Sequence, residues 1–185
     1  MIFNQHSELQ GRHAFLSPSS YSWLNYTDQK LEARYHTVRA ARRGTALHAL
    51  AHDAINLGVR LNRAEQSLCT YVADAIKYRM ACEQSLYYSD NCFGTSDTIS
   101  FRRNKLRIHD LKTGLSSVSA KQLEIYAALF CLEYGVNPYD IETELRIYQR
   151  DEIQIFTPPP ELIASIMEKI IDFDQQIQQI KEARW

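Results

Sequence analysis

The chain has 185 residues and a mass of 21.5 kDa, which suits one domain with a sizeable core or one domain with a helical extension. Apolar residues make up 45% of it and charged residues 23%, a balance typical of folded globular proteins rather than disordered ones. The formal net charge of −1 excludes a globally basic nucleic-acid binder, so any surface for nucleic acid must be local.

The sequence also gives expectations about the compartment. No apolar run approaches the roughly 18 residues that span a membrane, and the N-terminus lacks a basic segment followed by an apolar one. The four cysteines have no C-x-x-C spacing and do not form the pattern of a disulfide framework. We therefore expect a cytoplasmic protein with reduced cysteines and no membrane partner.

The N-terminal part of the chain is predicted to be helical. Ser17 is a suitable N-cap, and Pro18 fits the first position of a short helix. Residues 44–58 carry His48 and are rich in strong helix formers with a broad apolar face. A second helix is predicted over residues 63–80.

In the middle of the chain the apolar period changes from helical to alternating. Residues 83–89 are predicted to form a strand, and a hairpin follows with its turn centred between Arg103 and Asn104. With that turn, three pairs of side chains face each other on one side of the hairpin. These pairs are Phe101 with Leu106, Ile99 with Ile108, and Asp97 with Asp110.

The last part of the chain mixes both patterns. A helix is predicted over residues 119–134, strands over residues 140–150 and 152–157, and a long helix after Pro158 that runs almost to the C-terminus. Helices before, between and after about five strands predict an α/β protein with three layers, α/β/α, around a central mixed sheet.

We expect a single domain over residues 1–185. Its N-terminal helices would occupy residues 1–80, and the C-terminal helix would occupy residues 158–185. The sheet, the hairpin and the helix after it would lie between them, over residues 83–157.

Asp97, Asp110 and Lys112 are the most informative polar residues. Two opposed carboxylates repel each other, and strand periodicity puts the Lys112 ammonium on the same side as Asp110. Two acids and a lysine at the end of an apolar strand face can hold a divalent metal ion that prefers oxygen, leaving the lysine to contact a phosphate or orient a water. The alternative is a surface hairpin whose acids are solvated and whose lysine pairs with one of them.

Four motifs follow one another between residues 44 and 126. They are G-T-A-L-H with His48, G-T-S-D with Asp97, D-L-K-T-G with Asp110 and Lys112, and Q-L-E-I-Y with Gln122 and Tyr126. Together they resemble the RecB-like branch of the PD-(D/E)xK nuclease superfamily. With L-S-P-S-S-Y-S-W-L near the N-terminus, they are similar to the compact bacteriophage nucleases of that branch. The resemblance implies a restriction-endonuclease-like core.

The resemblance also implies a metal site. Asp97, Asp110 and the carbonyl of Leu111 would be ligands, and His48 would complete the set. Hard oxygen ligands with at most one imidazole suit Mg²⁺ or Mn²⁺ better than zinc. Relatives with an iron–sulphur cluster place one cysteine before the histidine and three after the last motif. Here no cysteine precedes His48 and only Cys131 follows the last motif, so we expect no iron–sulphur cluster.

Three further residues take catalytic roles from the resemblance. Lys112 would stabilise charge on the phosphate or position the attacking water. Gln122 and Tyr126 would hold the nucleic-acid strand or Lys112 itself. Without the resemblance, Gln122 and Tyr126 could be a pair on a helix surface, and His48 could be a core residue.

The implied function is a metal-dependent DNA nuclease, and an exonuclease of phage recombination or DNA processing rather than an endonuclease. The alternative is a non-catalytic subunit of the same fold that binds nucleic acid or supports assembly. Local contacts to DNA are expected from two basic groups. These are Arg42 and Arg43 before the first long helix, and Arg102, Arg103 and Lys105 in the hairpin turn.

The C-terminal helix has apolar residues at alternating spacings of three and four, which is the pattern of a heptad seam. The seam consists of Ile163, Ile166, Ile170, Phe173, Ile177 and Ile180. It predicts a homo-oligomer through this helix, because such a seam is narrower than the stripe that a helix usually turns toward a core. The alternative is that the seam packs on the protein's own sheet.

Overall fold

The structure is a computed structural model that describes residues 14–114 and 119–183. Its helices are α1 (Asp28–Asn56), α2 (Gln66–Tyr78), α3 (Lys121–Tyr134) and α4 (Pro160–Glu182), and 3₁₀ helices cover Pro18–Asn25 and Pro138–Asp140. Its strands are β1 (Ala81–Ser89), β2 (Cys92–Arg102), β3 (Lys105–Leu111), β4 (Glu142–Gln149) and β5 (Glu152–Phe156). Within these ranges, no helix combines the length and the apolar character needed to cross a membrane.

The chain divides into two compact units, with the boundary between Thr45 and Ala46. In the first unit, the 3₁₀ helix Pro18–Asn25 begins at the predicted signal, and Trp23 Nε1 donates a hydrogen bond to the Ser17 carbonyl at 2.9 Å. The sheet and helices α2, α3 and α4 belong to the second unit. The single domain predicted for residues 1–185 stays a prediction.

Helix α1 begins at Asp28, well before residue 44, where the sequence predicted its start. Its first part contains many good helix formers, such as Lys30, Glu32 and Ala33, but no continuous apolar stripe. Periodicity therefore gave no signal there, although intrinsic propensity favours a helix.

Across the described residues, five strands form one sheet in the order β1-β2-β3-β4-β5. Neighbouring strands are antiparallel except β3 and β4, which are parallel and are joined through α3. The predicted mixed sheet is therefore confirmed. A helix between two parallel strands places the end of β3 and the start of α3 close together, which matters for the site below.

Two apolar clusters place helices on both faces of the sheet, which confirms the three-layer fold. One cluster joins the end of α1 and α2 to the sheet, and its buried members include Ala51, Ala54, Ile55, Leu68, Tyr71, Val72, Ala75, Leu111 and Tyr148. The other joins α3 and α4 to the opposite face through Leu123, Ala127, Phe130 and Ile163, which pack with Ile99, Leu106, Ile108 and Leu145.

The β2–β3 hairpin has the predicted register. Ile99 pairs with Ile108, and Phe101 pairs with Leu106. The two-residue turn at Arg103 and Asn104 has φ values of 52° and 55°, as a type I′ turn requires. This turn matches the right-handed twist of the strands even without glycine.

The predicted pair of Asp97 and Asp110 lies outside the paired ladder, which ends one step earlier, at Thr98 and His109. Gly94 and Ile99 both face α3, although an odd separation along an uninterrupted strand puts two residues on opposite faces. The alternation thus inverts between them. The inversion coincides with Glu83, which the β1–β2 register sets across from Asp97 and which has a φ of 48°.

The heptad seam of α4 is packed against the protein's own core in its first half and exposed in its second half. Ile163 is buried, and Ile166 and Ile170 pack against the cluster beneath α3. Phe173 is 53% exposed and Ile180 is 55% exposed. The first half of the helix therefore belongs to the core, whereas its second half presents apolar side chains to solvent.

Candidate active site

The acid and the lysine of the D-L-K motif lie at the end of β3, close to the start of α3. Asp110 is buried, and its Oδ1 accepts a hydrogen bond from Lys112 Nζ at 3.0 Å. The same ammonium donates to Gln122 Oε1 at 3.0 Å. Lys112 is thus held between a strand acid and a helix amide, with about a third of its side chain exposed.

Asp97 reaches this place from β2. Its Oδ2 accepts a hydrogen bond from the Leu111 backbone N–H at 3.0 Å, which fixes the peptide unit between Asp110 and Leu111. His48, from the part of α1 in the second unit, lies with Nδ1 3.5 Å from the same oxygen. The structure therefore gathers the residues predicted as metal ligands around the end of the β2–β3 hairpin, even though the two acids are not ladder partners.

Asp110 is the electrostatically unusual group of the site. Burial raises the pKa of its carboxyl above the ordinary value, and the nearby Asp97 raises it further, while Lys112 and His48 act in the opposite direction. Its second oxygen, Oδ2, is buried and has no hydrogen-bond partner among the described residues. A buried carboxylate oxygen without a partner costs free energy, and a cation or a hydrogen-bond donor from outside the chain would remove that cost.

Tyr126 and Gln122 connect Lys112 to strand β2. The Tyr126 hydroxyl donates to the Thr95 carbonyl at 2.7 Å, and Gln122 Nε2 lies 3.3 Å from that hydroxyl. Gly94 makes this possible, since a Cβ at that position would lie 2.9 Å from Tyr126 Cε1. The ring therefore rests directly on the strand backbone.

Two participants were not predicted as site residues. Gly94 was quoted only as part of G-T-S-D, and its role depends on a contact across the fold. Tyr71 was predicted only as an inward residue of α2, yet it lies in a small cavity of about 20 Å³ that His48 and Asp97 also line. Burial, reinforced by Asp97, raises the pKa of the Tyr71 hydroxyl far above its ordinary range. Nothing in a helical apolar pattern distinguishes such a tyrosine from an ordinary core residue.

The hairpin cations that were predicted to contact DNA do not surround these acids. Arg102 and Arg103 lie at the turn of the hairpin, whereas Asp110 lies at its other end, about 17 Å away at 3.3 Å per residue. Lys105 pairs with Glu144 at 3.0 Å and with Glu142 at 3.5 Å. Arg42 and Arg43 belong to the first unit, on α1.

The donor set fits a hard divalent cation. In the described ranges, no three side chains of His, Cys, Asp or Glu form a ready metal cage. Mg²⁺ and Mn²⁺ do not need one, because Mg²⁺ usually keeps several waters and binds through one or two carboxylates. Asp97, Asp110 and the Leu111 carbonyl could hold such an ion, with His48 beside them and with the unpartnered Asp110 oxygen as the vacant ligand atom.

Comparison with known proteins gives one match. Residues 61–177 match the model of a family described as a protein of unknown function, DUF2800. Neither a curated protein nor a solved structure matches the chain. The matched range holds Asp97, Asp110, Lys112, Gln122 and Tyr126 but leaves out His48. Because the match covers more than half of the chain, the protein belongs to the DUF2800 family.

Proposed function

We propose that this protein is a metal-dependent nuclease that hydrolyses the phosphodiester bonds of DNA. The observation that carries the proposal is the buried, unpartnered Oδ2 of Asp110, next to a lysine held by a hydrogen-bonded frame. A structural ion pair has no need of a buried carboxylate oxygen without a donor. A site for a cation and a phosphate accounts for both features.

The residues divide the work according to their positions. When bound, Mg²⁺ or Mn²⁺ would supply Lewis acidity and a water of lowered pKa. Lys112 keeps its ammonium between Asp110 and Gln122, where it would neutralise charge on a phosphate oxygen or orient the attacking water. Tyr126 holds Gln122 in place from its anchor on Thr95.

An exonuclease is the form of the activity that we propose, in line with the phage-type resemblance, and an endonuclease is the alternative. Incubation of the protein with Mn²⁺ and DNA separates them. An exonuclease degrades end-labelled linear DNA and leaves covalently closed circles intact, whereas an endonuclease opens the circles. The absence of cleavage on both substrates, with Mg²⁺ as well as Mn²⁺, would contradict the proposal. Activity in the cytoplasm, in a bacterial host if the chain is phage-encoded, is part of the same proposal.

A second proposal concerns assembly, and the exposed second half of α4 supports it. Phe173, Ile177 and Ile180 offer an apolar strip that a second copy of the chain could cover. Light scattering on the full chain and on the double variant Phe173→Asp/Ile180→Asp tests this. These substitutions spare Ile163, whose removal would damage the core. A wild-type monomer at micromolar concentration would contradict the proposal.

A further inference from the structure

Strands β1 and β2 leave part of one sheet face open. Leu86 packs in the cluster under α3, and Gly94 faces the Tyr126 ring on the same side. Because side chains alternate along a strand, the residues on either side of Leu86 and Gly94 point to the opposite face. Helix α2 packs on that face over β3 and β4. Ser85, Tyr87, Phe93 and Thr95 are all exposed there.

These exposed residues form an ordered series that ends at the candidate site. In the β1–β2 register Ser85 pairs with Thr95 and Tyr87 with Phe93. Toward the site, Glu83 and Asp97 lie between the pairs Gln84–Ser96 and Cys82–Thr98. The hydroxyls of Ser85 and Thr95 lie 3.1 Å apart. We refer to Ser85, Tyr87, Phe93 and Thr95 as the β1–β2 strip. The strip runs along β2 from the side of Asp97 to Phe93.

The outer end of the strip is aromatic. The rings of Tyr87 and Phe93 are stacked, with centroids 6.4 Å apart and an interplanar angle of 27°. Phe93 is 67% exposed, and Tyr87 is held by a hydrogen bond from its hydroxyl to Asp90 at 3.0 Å. A large exposed aromatic pair gains nothing for the fold from its outward surface, so it indicates a ligand.

We propose that the β1–β2 strip binds unpaired nucleotides of the nucleic-acid strand whose phosphate enters the site at Asp97. This inference rests on the proposed nuclease function and names the form of its substrate. Phe93 lies four residues from Asp97, or about 13 Å along the strand, which matches about four stacked nucleotides at 3.4 Å each. The rings would stack on bases, and the hydroxyls would meet sugar or phosphate oxygens on the way to the site.

The charges near the rings favour bases over backbone at that end. Asp90 adjoins the Tyr87 hydroxyl, and Glu133 accepts a hydrogen bond from the Tyr87 N–H, so a phosphate would be repelled there. An uncharged base face would not be. In a duplex the base faces are already stacked on one another, so the strip requires a strand that has left the helix.

The test measures binding apart from cleavage. Fluorescence anisotropy with the full chain in EDTA would follow a labelled single-stranded oligonucleotide and a blunt duplex of the same sequence. We expect Tyr87→Ala/Phe93→Ala to weaken single-strand binding by about 10- to 100-fold and to leave duplex binding unchanged, since each base stacked on an aromatic ring contributes substantially. Phe93→Trp should bind as wild type does, whereas Phe93→Leu, which keeps apolar bulk without a ring, should not. Tyr139→Ala removes an aromatic outside the strip whose exposure, 57%, lies between those of Tyr87 and Phe93, and it serves as the control.

Several results would overturn the inference. One is single-strand binding by the double variant that equals that of wild type; another is equal losses for Phe93→Trp and Phe93→Leu. If the double variant instead lost self-association in light scattering while keeping its DNA affinity, the strip would be a protein contact. The proposed function and the strip can fail separately. Ring-dependent binding without cleavage by wild type would refute the nuclease function and support the strip as a binding site. Cleavage together with ring-independent binding would support the nuclease function and refute the strip.

Discussion

Among the described residues, two clusters of charged side chains differ in how completely their partners satisfy them. In the site cluster, made of Asp97, Asp110 and Lys112, one buried carboxylate oxygen has no hydrogen-bond partner. In the β4 cluster, made of Asp74, Glu144 and Arg146, Arg146 donates hydrogen bonds to Glu144 at 3.0 Å and to Asp74 at 2.8 Å. Similar residue types thus produce an incomplete arrangement in one place and a closed one in the other.

Two other atoms near the β4 cluster lack hydrogen bonds but do not weaken this contrast. Burial lowers the pKa of His109 to about 3, so its ring is neutral and its unpaired Nε2 carries no net charge. Arg107 Nε lies 3.3 Å from Glu144, within ion-pair range. An ionised carboxylate without a donor is the more expensive case. The contrast is in line with the proposed function, in which the open cluster receives a ligand and the closed one stabilises the fold.

Neutralising the site cluster should give the largest effect. We expect Asp110→Asn or Lys112→Ala to lower the rate of DNA cleavage by roughly 10²- to 10⁴-fold. The fold should survive, because the Asp110 charge is disfavoured by burial and by Asp97. Circular dichroism and cleavage of end-labelled DNA would be compared with those of wild type. Near wild-type cleavage by either variant would remove these residues from the site.

The frame behind Lys112 should give a smaller loss. Gly94→Ala must displace the Tyr126 ring, and Tyr126→Phe removes the hydrogen bond to Thr95, so each should slow cleavage about 10-fold. In Gly94→Ala/Tyr126→Ala the added methyl no longer meets a ring. This double variant should therefore cleave as slowly as Tyr126→Ala alone, and additive losses would show that Gly94 acts by another route.

Metal binding would sharpen the comparison through stability rather than rate. At about 100 times its Kd, Mg²⁺ or Mn²⁺ should stabilise the folded chain by about 2.7 kcal/mol, which raises Tm by about 5–10 °C. Differential scanning calorimetry should show this shift in wild type and not in Asp110→Asn, and chelation should reverse it. Stoichiometric iron or sulphide in anaerobically purified protein would contradict the assignment of the cation.

The parts of the fold that depend on local pattern could be predicted from the sequence. Alternation on both sides of Arg103 and Asn104 predicted a hairpin, and its register followed from assuming a two-residue turn, since a longer turn would have shifted the pairing. The inversion at Glu83 could not be predicted, since a glutamate with positive φ has no sequence signature. Asp97 therefore lies at the site because the alternation inverts, and not because of the regular strand spacing that the sequence suggested.

Contacts between distant elements were equally hidden. Arg146 and Asp74 lie on β4 and α2 and meet only after the layers pack, so the β4 cluster had no sequence signal. The 3-4 spacing of α4 describes a core stripe and an exposed seam equally well, and the helix uses one after the other. The D-x-K and Q-x-x-x-Y motifs could be recognised in the sequence, because each has a short, fixed spacing.

The smallest effect on cleavage is expected from neutralising the β4 cluster. In contrast to the site variants, this change should lower stability and not activity. Burial alone would raise the pKa of Glu144, but its cationic neighbours hold it below the ordinary value of 4.5. The charged or titratable groups around it are Lys105, Arg107 and Arg146, with Glu142, Asp74 and Tyr78 just beyond them. We expect Glu144→Gln to lower the free energy of unfolding at pH 7 by about 1–3 kcal/mol and to leave cleavage unchanged.

The pH dependence of that loss follows from the direction of the shift. A carboxyl with a depressed pKa in the folded state stabilises the protein above its unfolded pKa, and this stabilisation is lost as pH falls through the folded value. The difference in unfolding free energy between wild type and Glu144→Gln, measured with urea, should therefore stay constant from pH 7 to about pH 5 and shrink below the ordinary value of 4.5. Asp110→Asn is the matched comparison, since it also removes one acid that pairs with a cation but should not destabilise the metal-free chain. If Glu144→Gln abolished cleavage, or if both variants lost equal stability, a closed cluster and an open one would no longer be distinguishable by function.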